Sequence, residues 1–129
     1  MEAMFFFSKA TENLAAAELC QEHGFHDASV NRAYYVMLQA AVAVLLSLGH
    51  VFDPNKHIEH AKVHSLFSNE LTNRRKLVPA KFKTYLYEAL RLRAIADYKE
   101  ASISPKQSGR QIVKTREFVH ALEKELRHD

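Results

Sequence analysis

The stretch between residues 27 and 49 is apolar on most of its helical sides, and it limits the fold more than any other part of the chain. One face carries Val30, Ala33, Tyr34, Met37, Leu38, Ala41, Val44, Leu45 and Leu48, and a second carries Tyr35, Val42 and Leu46. A helix with so little polar surface must be covered, so we expect it at the centre of its domain or in a subunit interface. Asp27 or Ser29 would serve as its N-cap, and Gly49 would end it.

Helical spacing of apolar residues predicts four more helices around this one. They run from about Ala3 to His23, from Pro54 to Thr72 with Ala61, Phe67 and Leu71 inward, from Pro79 to Tyr98, and from Pro105 onward. Gly24 favours the end of the first helix, and Asp53 followed by Pro54 favours the start of the third. Ser104 and Gln107 have the spacing of a capping box at the start of the fifth.

Few residues in this chain break helices, because it has only three glycines and three prolines among 129 residues. We therefore predict an all-α, up-and-down bundle of four long helices plus one shorter helix, with residues 1–129 forming a single domain. No apolar run approaches the roughly 18 residues that span a bilayer, so no membrane partner is expected. The single cysteine, Cys20, suits a reducing cytoplasm.

Several sequence patterns of enzymes are missing from this chain. It has no glycine-rich phosphate loop, no Cys-x-x-Cys and no serine flanked by elbow glycines, so we expect no cofactor. His57, His60 and His64 share one side of the third helix, which makes them weak candidates for a Zn²⁺ or Ni²⁺ site. Partly exposed histidines without a metal are the alternative. His64 is also a candidate for proton transfer.

The sequence LRLRAIADY, residues 90 to 98, places a cation on an apolar stripe. The stripe consists of Phe82, Leu86, Ala89, Arg93 and Ala96. Buried arginine requires a partner, and Asp97 lies one helical turn from Arg93. The pair is either a structural ion pair or a site in which Arg93 holds a phosphate while Asp97 and Tyr98 position it. Arg91 could supply a second cation, but this helix contains no histidine to act as a base.

Four segments resemble those of HEPN domains, in the same order along the chain. They are SVNRAYYVMLQAAVAVLLSLG, KVHSLF, LRLRAIADY and the approach to the last helix from Ile103 to Phe118. The resemblance implies a compact helical bundle and a homodimer. It also implies a neighbouring gene for a minimal nucleotidyltransferase, in a toxin–antitoxin-like pair. Ribonuclease members carry an Arg-x4–6-His motif on the helix that corresponds to the fourth one here.

The chain departs from that ribonuclease motif. If Arg91 takes the place of the motif arginine, Ala96 takes that of the histidine; if Arg93 does, the series ends at Asp97 and Tyr98. Gln39 stands where many relatives have another histidine. The chain is similar instead to the branch with an Arg-x-x-Ala-Asp-Tyr signature, for which nucleotide or partner binding is suggested.

Three functions remain open at this point. The first is a non-catalytic or weakly catalytic HEPN protein that dimerises through helices 2 and 4 and binds a nucleotidyltransferase, a nucleotide or RNA. The nucleotide-binding or RNA-binding residues would be Arg32, Arg91, Arg93, Asp97 and Tyr98. The second is a metal-independent endoribonuclease toxin, with Arg91 or Arg93 stabilising phosphate and His64 or Tyr98 transferring a proton. The third is a purely structural interaction subunit.

Overall fold

A computed structural model describes residues 2–127, and all regular secondary structure in this range is helical. The helices are α1 (Ala3–Glu22), α2 (His26–Ser47), α3 (His60–Leu66), α4 (Lys81–Tyr98) and α5 (Pro105–Arg127). A π-helical segment, Phe67–Arg74, continues α3 directly. The prediction of an all-α bundle with four long helices and one shorter helix is confirmed.

Helix α2 is the centre of the bundle and packs against α1, α4 and α5. Val42 is only 1% exposed, so the chain itself covers the face that could have met a second subunit there. By length and composition α2 could cross a membrane, but 72% of its most apolar stretch is buried inside the bundle. A largely buried apolar helix of this kind is typical of a protein core.

The other helices close the core with stacked aromatic rings. Phe118 of α5 stacks on Phe67 of the π-helical segment at 5.4 Å between ring centroids. It meets Phe82 of α4 edge to face at 5.8 Å. Aromatic pairs at such distances stabilise beyond the area that they bury. These contacts fix the carboxyl-terminal part of α3 against α4 and α5, and so determine which side of α3 faces α2.

The turn between α1 and α2 is short because α1 ends in a Schellman motif. Gly24 has φ +83°, as predicted for a residue that ends a helix, and the Phe25 amide donates to the Cys20 carbonyl at 2.8 Å. Helix α2 begins at once, at His26, so the prediction of an N-cap at Asp27 or Ser29 is wrong. Both side chains serve tertiary contacts instead: the Ser29 hydroxyl donates to the Ala17 carbonyl, and Asp27 accepts from the Ile103 amide.

The predicted start of the third helix at Pro54 is also wrong, because α3 begins at His60. Asp53 and Pro54 form a turn in which the Lys56 amide donates to the Asp53 carbonyl at 3.2 Å. Proline fixes a φ that suits the second position of such a turn as well as the first turn of a helix. Ala61, predicted to face inward, is exposed.

The capping box at the start of α5 is present as predicted. The Gln107 amide donates to the Ser104 hydroxyl at 3.1 Å, and the Ser104 amide donates to the Gln107 side chain at 2.9 Å. These reciprocal bonds satisfy two amides that a helix start leaves without partners. Helix α5 therefore begins at Pro105, next to the Ile103 amide that binds Asp27.

Candidate anion-binding site

Arg93, in the last two turns of α4, faces two tyrosines of α2. Its guanidinium carbon lies 5.8 Å from the ring centroid of Tyr34 and 5.4 Å from that of Tyr35. The Arg93 side chain is 20% exposed, so the cation is partly removed from water. Aromatic faces attract a guanidinium at such distances, and more strongly where solvent is reduced. The two rings thus hold Arg93 in a fixed position beside α2.

Asp97 supplies the negative charge beside this cation. Its Oδ2 lies 3.2 Å from Nε of Arg93, but this Nε is buried and makes no hydrogen bond of good geometry within residues 2–127. The side-chain nitrogen Nδ2 of Asn31, on α2, donates to both carboxylate oxygens of Asp97, at 3.1 and 2.9 Å. The carboxylate is therefore held from α2 as well as by its own helix, and it neutralises one guanidinium.

A second guanidinium, that of Arg32, lies 5.4 Å from the same Tyr35 ring. Its Nε and Nη2 donate to the neutral Asn31 side-chain oxygen at 3.1 and 2.9 Å. Its Nη1 lies 3.5 Å from the side-chain oxygen of Asn13. Neither acceptor carries a charge. Two guanidinium cations thus lie around Tyr35, and among residues 2–127 only that of Arg93 is paired with a carboxylate, so the excess charge of these contacts is positive.

Two histidines of α3 contact Tyr34, the buried tyrosine of this cluster. The Tyr34 hydroxyl is 3.1 Å from Nδ1 of His60 and 3.1 Å from Nε2 of His64. Tyr34 is fully buried, and its burial raises its pKa to about 12, although the charge of Arg93 acts in the opposite direction. Burial lowers the pKa of both histidines. The charge of Arg93 and the neighbouring His57 lower the pKa of His60 further, and His60 lowers that of His64 further.

The three histidines of the predicted metal site do not converge on one point. The His57 and His60 rings stack with centroids 6.0 Å apart, while His60 and His64 each direct a nitrogen at the Tyr34 hydroxyl. Within residues 2–127, no group of three or more His, Cys, Asp or Glu side chains could hold a metal ion. The described geometry thus directs these nitrogens to a hydroxyl.

Among the predicted site residues, the structure brings together Arg32, Arg93 and Asp97 and places His64 behind them. Arg91 and Tyr98 are exposed, and Tyr98 is 74% exposed. Arg91 precedes Arg93 by two residues, about 200° around a helix, and Tyr98 follows Arg91 by seven, so both lie on another side of α4.

Sequence reasoning missed two contacts that complete the site. The Asn31 amide on Asp97 joins residues 66 positions apart, and the Tyr34 hydroxyl joins α2 to His60 and His64 across 26 and 30 positions. The available signal was a polar pair, Asn31 and Arg32, one turn before two tyrosines on an otherwise apolar helix. That pattern marks a polar side of α2 but does not identify its partners on other helices.

The fold and site together define a small helical-bundle domain with an aromatic-lined cationic cluster between its second and fourth helices. Residues 3–126 match the profile of the HEPN domain. A relative from Gloeobacter violaceus, the UPF0332 protein glr0978, is 30% identical over 112 residues, which cover 87% of this chain and 84% of the relative. The chain therefore belongs to the HEPN domain family.

Proposed function

We propose that this HEPN domain binds a nucleotide or RNA through its phosphate at the cationic cluster of Arg32, Tyr35 and Arg93. The observation that carries the proposal is the charge imbalance around Tyr35, where two guanidinium groups lie against one ring and only that of Arg93 is paired with a carboxylate. Guanidinium groups bind phosphate oxygens through paired N–H donors, and a tyrosine ring adds a surface on which a base can stack. The ring is partly exposed, so a ligand could reach it.

We further infer that the chain acts as a homodimer and as one component of a two-gene, toxin–antitoxin-like system in the cytoplasm, with a nucleotidyltransferase as partner. Membership of the HEPN family supports this inference. The exposed side of α4 supports only the part of this inference that concerns a protein interface, because Tyr87 is 64% and Tyr98 is 74% exposed. Exposed aromatic side chains near an arginine, here Arg91, are typical of protein interfaces.

Binding of ATP, GTP and a short single-stranded RNA, measured by isothermal titration calorimetry, tests the phosphate site. The wild-type protein should bind at least one of these ligands. Arg93→Ala and Arg32→Ala should each weaken binding by about tenfold or more, as expected for the loss of a charged hydrogen-bond donor. The matched control is Arg110→Ala, which removes an exposed arginine of α5. Equal losses in the control and in Arg93→Ala would contradict the assignment.

A second function, metal-independent RNA cleavage, has one specific observation in its favour. Helix α4 has no histidine, but two histidines of α3 contact the hydroxyl of Tyr34, and Arg93 packs on the ring of the same tyrosine. RNA incubated with excess protein in EDTA decides between the two functions. Cleavage that disappears in a folded Arg93→Ala variant would support a ribonuclease, whereas intact RNA at high protein excess would exclude it.

The remaining alternative is a structural interaction subunit without a small ligand. It would be supported if ATP, GTP and RNA all fail to bind in calorimetry while the protein still forms a dimer. The mass in solution at micromolar concentration measures that dimer. A clean monomer would refute the homodimer but leave the phosphate site to be judged by its own binding test.

A further inference from the structure

The hydroxyl of Tyr34 has one proton to donate, yet it faces a ring nitrogen of each of two histidines, both at 3.1 Å. It can donate to one imidazole, and the other imidazole must donate to its oxygen. When both rings are neutral, one histidine therefore has its proton on the ring nitrogen that faces Tyr34, and the other has its proton on the opposite ring nitrogen. The outer nitrogens, Nε2 of His60 and Nδ1 of His64, are then one acceptor and one donor.

His60 borders the cationic cluster as well as the core. Its ring centroid lies 5.5 Å from that of Tyr34 and 5.9 Å from that of Tyr35. Arg93 packs on the same two rings at 5.8 and 5.4 Å. Since Nδ1 of His60 is engaged with Tyr34, its Nε2 is the nitrogen left for a ligand. An anion held by Arg93 on Tyr35 would thus be bound against a ring that the His60 imidazole also contacts.

We propose that His60 is a further ligand-binding residue of this site, and that a phosphodiester binds there together with one proton taken up from solvent by the His60 imidazole. The proposal rests on the proposed function of the cluster, and it adds a residue and a proton to it. When neutral His60 carries its proton on Nδ1 and donates it to Tyr34, the proton taken up from solvent adds to Nε2. Tyr34 then donates to Nε2 of His64, so every inner hydrogen bond is kept.

The groups around His60 determine the direction of the effect. Without ligand, burial, the Arg93 charge and the neighbouring His57 all lower the pKa of His60. Tyr34 and Tyr35 face it from α2, and burial raises the pKa of Tyr34 to about 12, so the Tyr34 hydroxyl is neutral near pH 7. The Asp97 carboxylate is already paired with Arg93 and Asn31. A bound phosphodiester is then the added negative charge that offsets Arg93, which raises the pKa of His60 and favours binding at lower pH.

The test uses an oligouridylate without terminal phosphates, because neither its phosphodiesters nor its bases titrate between about pH 5.5 and about pH 8. Its dissociation constant should decrease by up to about tenfold per pH unit as the pH falls through the titration of His60. Calorimetry in buffers of different ionisation enthalpy should count about one proton taken up per ligand in the region where His60 is neutral before binding.

His60→Gln should lose both the pH dependence and the proton uptake, and at low pH it should bind more weakly than the wild type. His120→Gln, an exposed histidine of α5, is the matched control and should keep both. A second measurement needs no variant: nuclear magnetic resonance of the histidine ring carbons should show the pKa of His60 rising when oligouridylate binds.

The outcomes separate the two proposals. Absence of oligouridylate binding at every pH would overturn both the RNA-binding form of the proposed function and this inference. Binding that depends on Arg93 but has the same pH dependence in the wild type and in His60→Gln would overturn this inference alone. An unchanged pKa of His60 in the bound protein would do the same.

Discussion

The hydroxyl of Tyr34 should stabilise the fold to a degree that depends on pH, and Tyr34→Phe isolates this contribution. Near neutral pH the substitution removes hydrogen bonds to His60 and His64. Each is worth about 0.5–1.5 kcal/mol net, so the variant should be less stable by roughly 1–3 kcal/mol. Both histidines are only half-buried, so water can partly replace the hydrogen bonds that their ring nitrogens lose. The loss of stability should therefore lie at the lower end of this range.

At alkaline pH the difference between the two proteins should shrink. The pKa of Tyr34 is raised in the folded protein from its ordinary 10.0 to about 12, so the native state holds this proton more tightly than the unfolded chain. The corresponding stability is present below pH 10 and is lost as the pH rises toward 12. Two pH units correspond to about 3 kcal/mol. The Tyr34→Phe variant has no hydroxyl proton at this position, so it loses no stability by this deprotonation.

Urea unfolding followed by circular dichroism measures both effects, with the free energy of unfolding of each protein compared at about pH 9 and at about pH 12. The difference between them cancels the titration of all other groups. Tyr87→Phe, a change at a residue that is 64% exposed, is the matched control and should show no such convergence. A Tyr34→Phe deficit that is the same at both pH values would refute the reasoning about the buried hydroxyl.

Three further perturbations test other parts of the structure. Val42→Glu should unfold the protein, because an unpaired carboxylate in the core costs roughly 4 kcal/mol or more; a folded monomer by circular dichroism and solution mass would contradict this and return Val42 to a subunit interface. Asp97→Asn should lower the free energy of unfolding in urea by about 1–2 kcal/mol, because the Arg93 cation is only partly hydrated and loses its carboxylate partner. The same change should tighten phosphate binding in calorimetry, and weaker binding would contradict the charge argument. The free energy of unfolding should fall as the pH drops below 6.5, because the pKa values of His60 and His64 are lower in the folded protein than in the unfolded chain. Changing both histidines to glutamine should reduce this decrease, and an unchanged decrease would assign it to other groups.

Much of the fold could be predicted from the chain because it depends on local periodicity. The apolar faces of α2, the glycine after α1 and the capping box of α5 are each written within a few consecutive residues. The start of α3 could not be read this way, because Asp53 and Pro54 suit a turn as well as a helix start. Choosing between them requires knowing where His60 and Val63 pack, which is a tertiary property.

The same limit applies to the candidate site. Arg93 and Asp97 could be paired from the sequence because they are one helical turn apart. The partners that define the rest of the site, Asn31 on Asp97 and His60 on Tyr34, come from other helices. They are set by how α2, α3 and α4 rotate against each other, and apolar spacing fixes such rotations only to within a fraction of a turn.

Tyr34 and Tyr35 are consecutive on α2, about 100° apart around the helix axis. One ring lies in the core with the histidines, and the other lies at the surface with the two arginines. The rotation of α2 that buries its apolar side therefore also sets the position of the arginine-bound ring. A core substitution that turned α2 by a small angle would displace Tyr35. Ligand affinity should therefore depend on how the interior is packed. Selection for ligand binding would then also preserve the core residues.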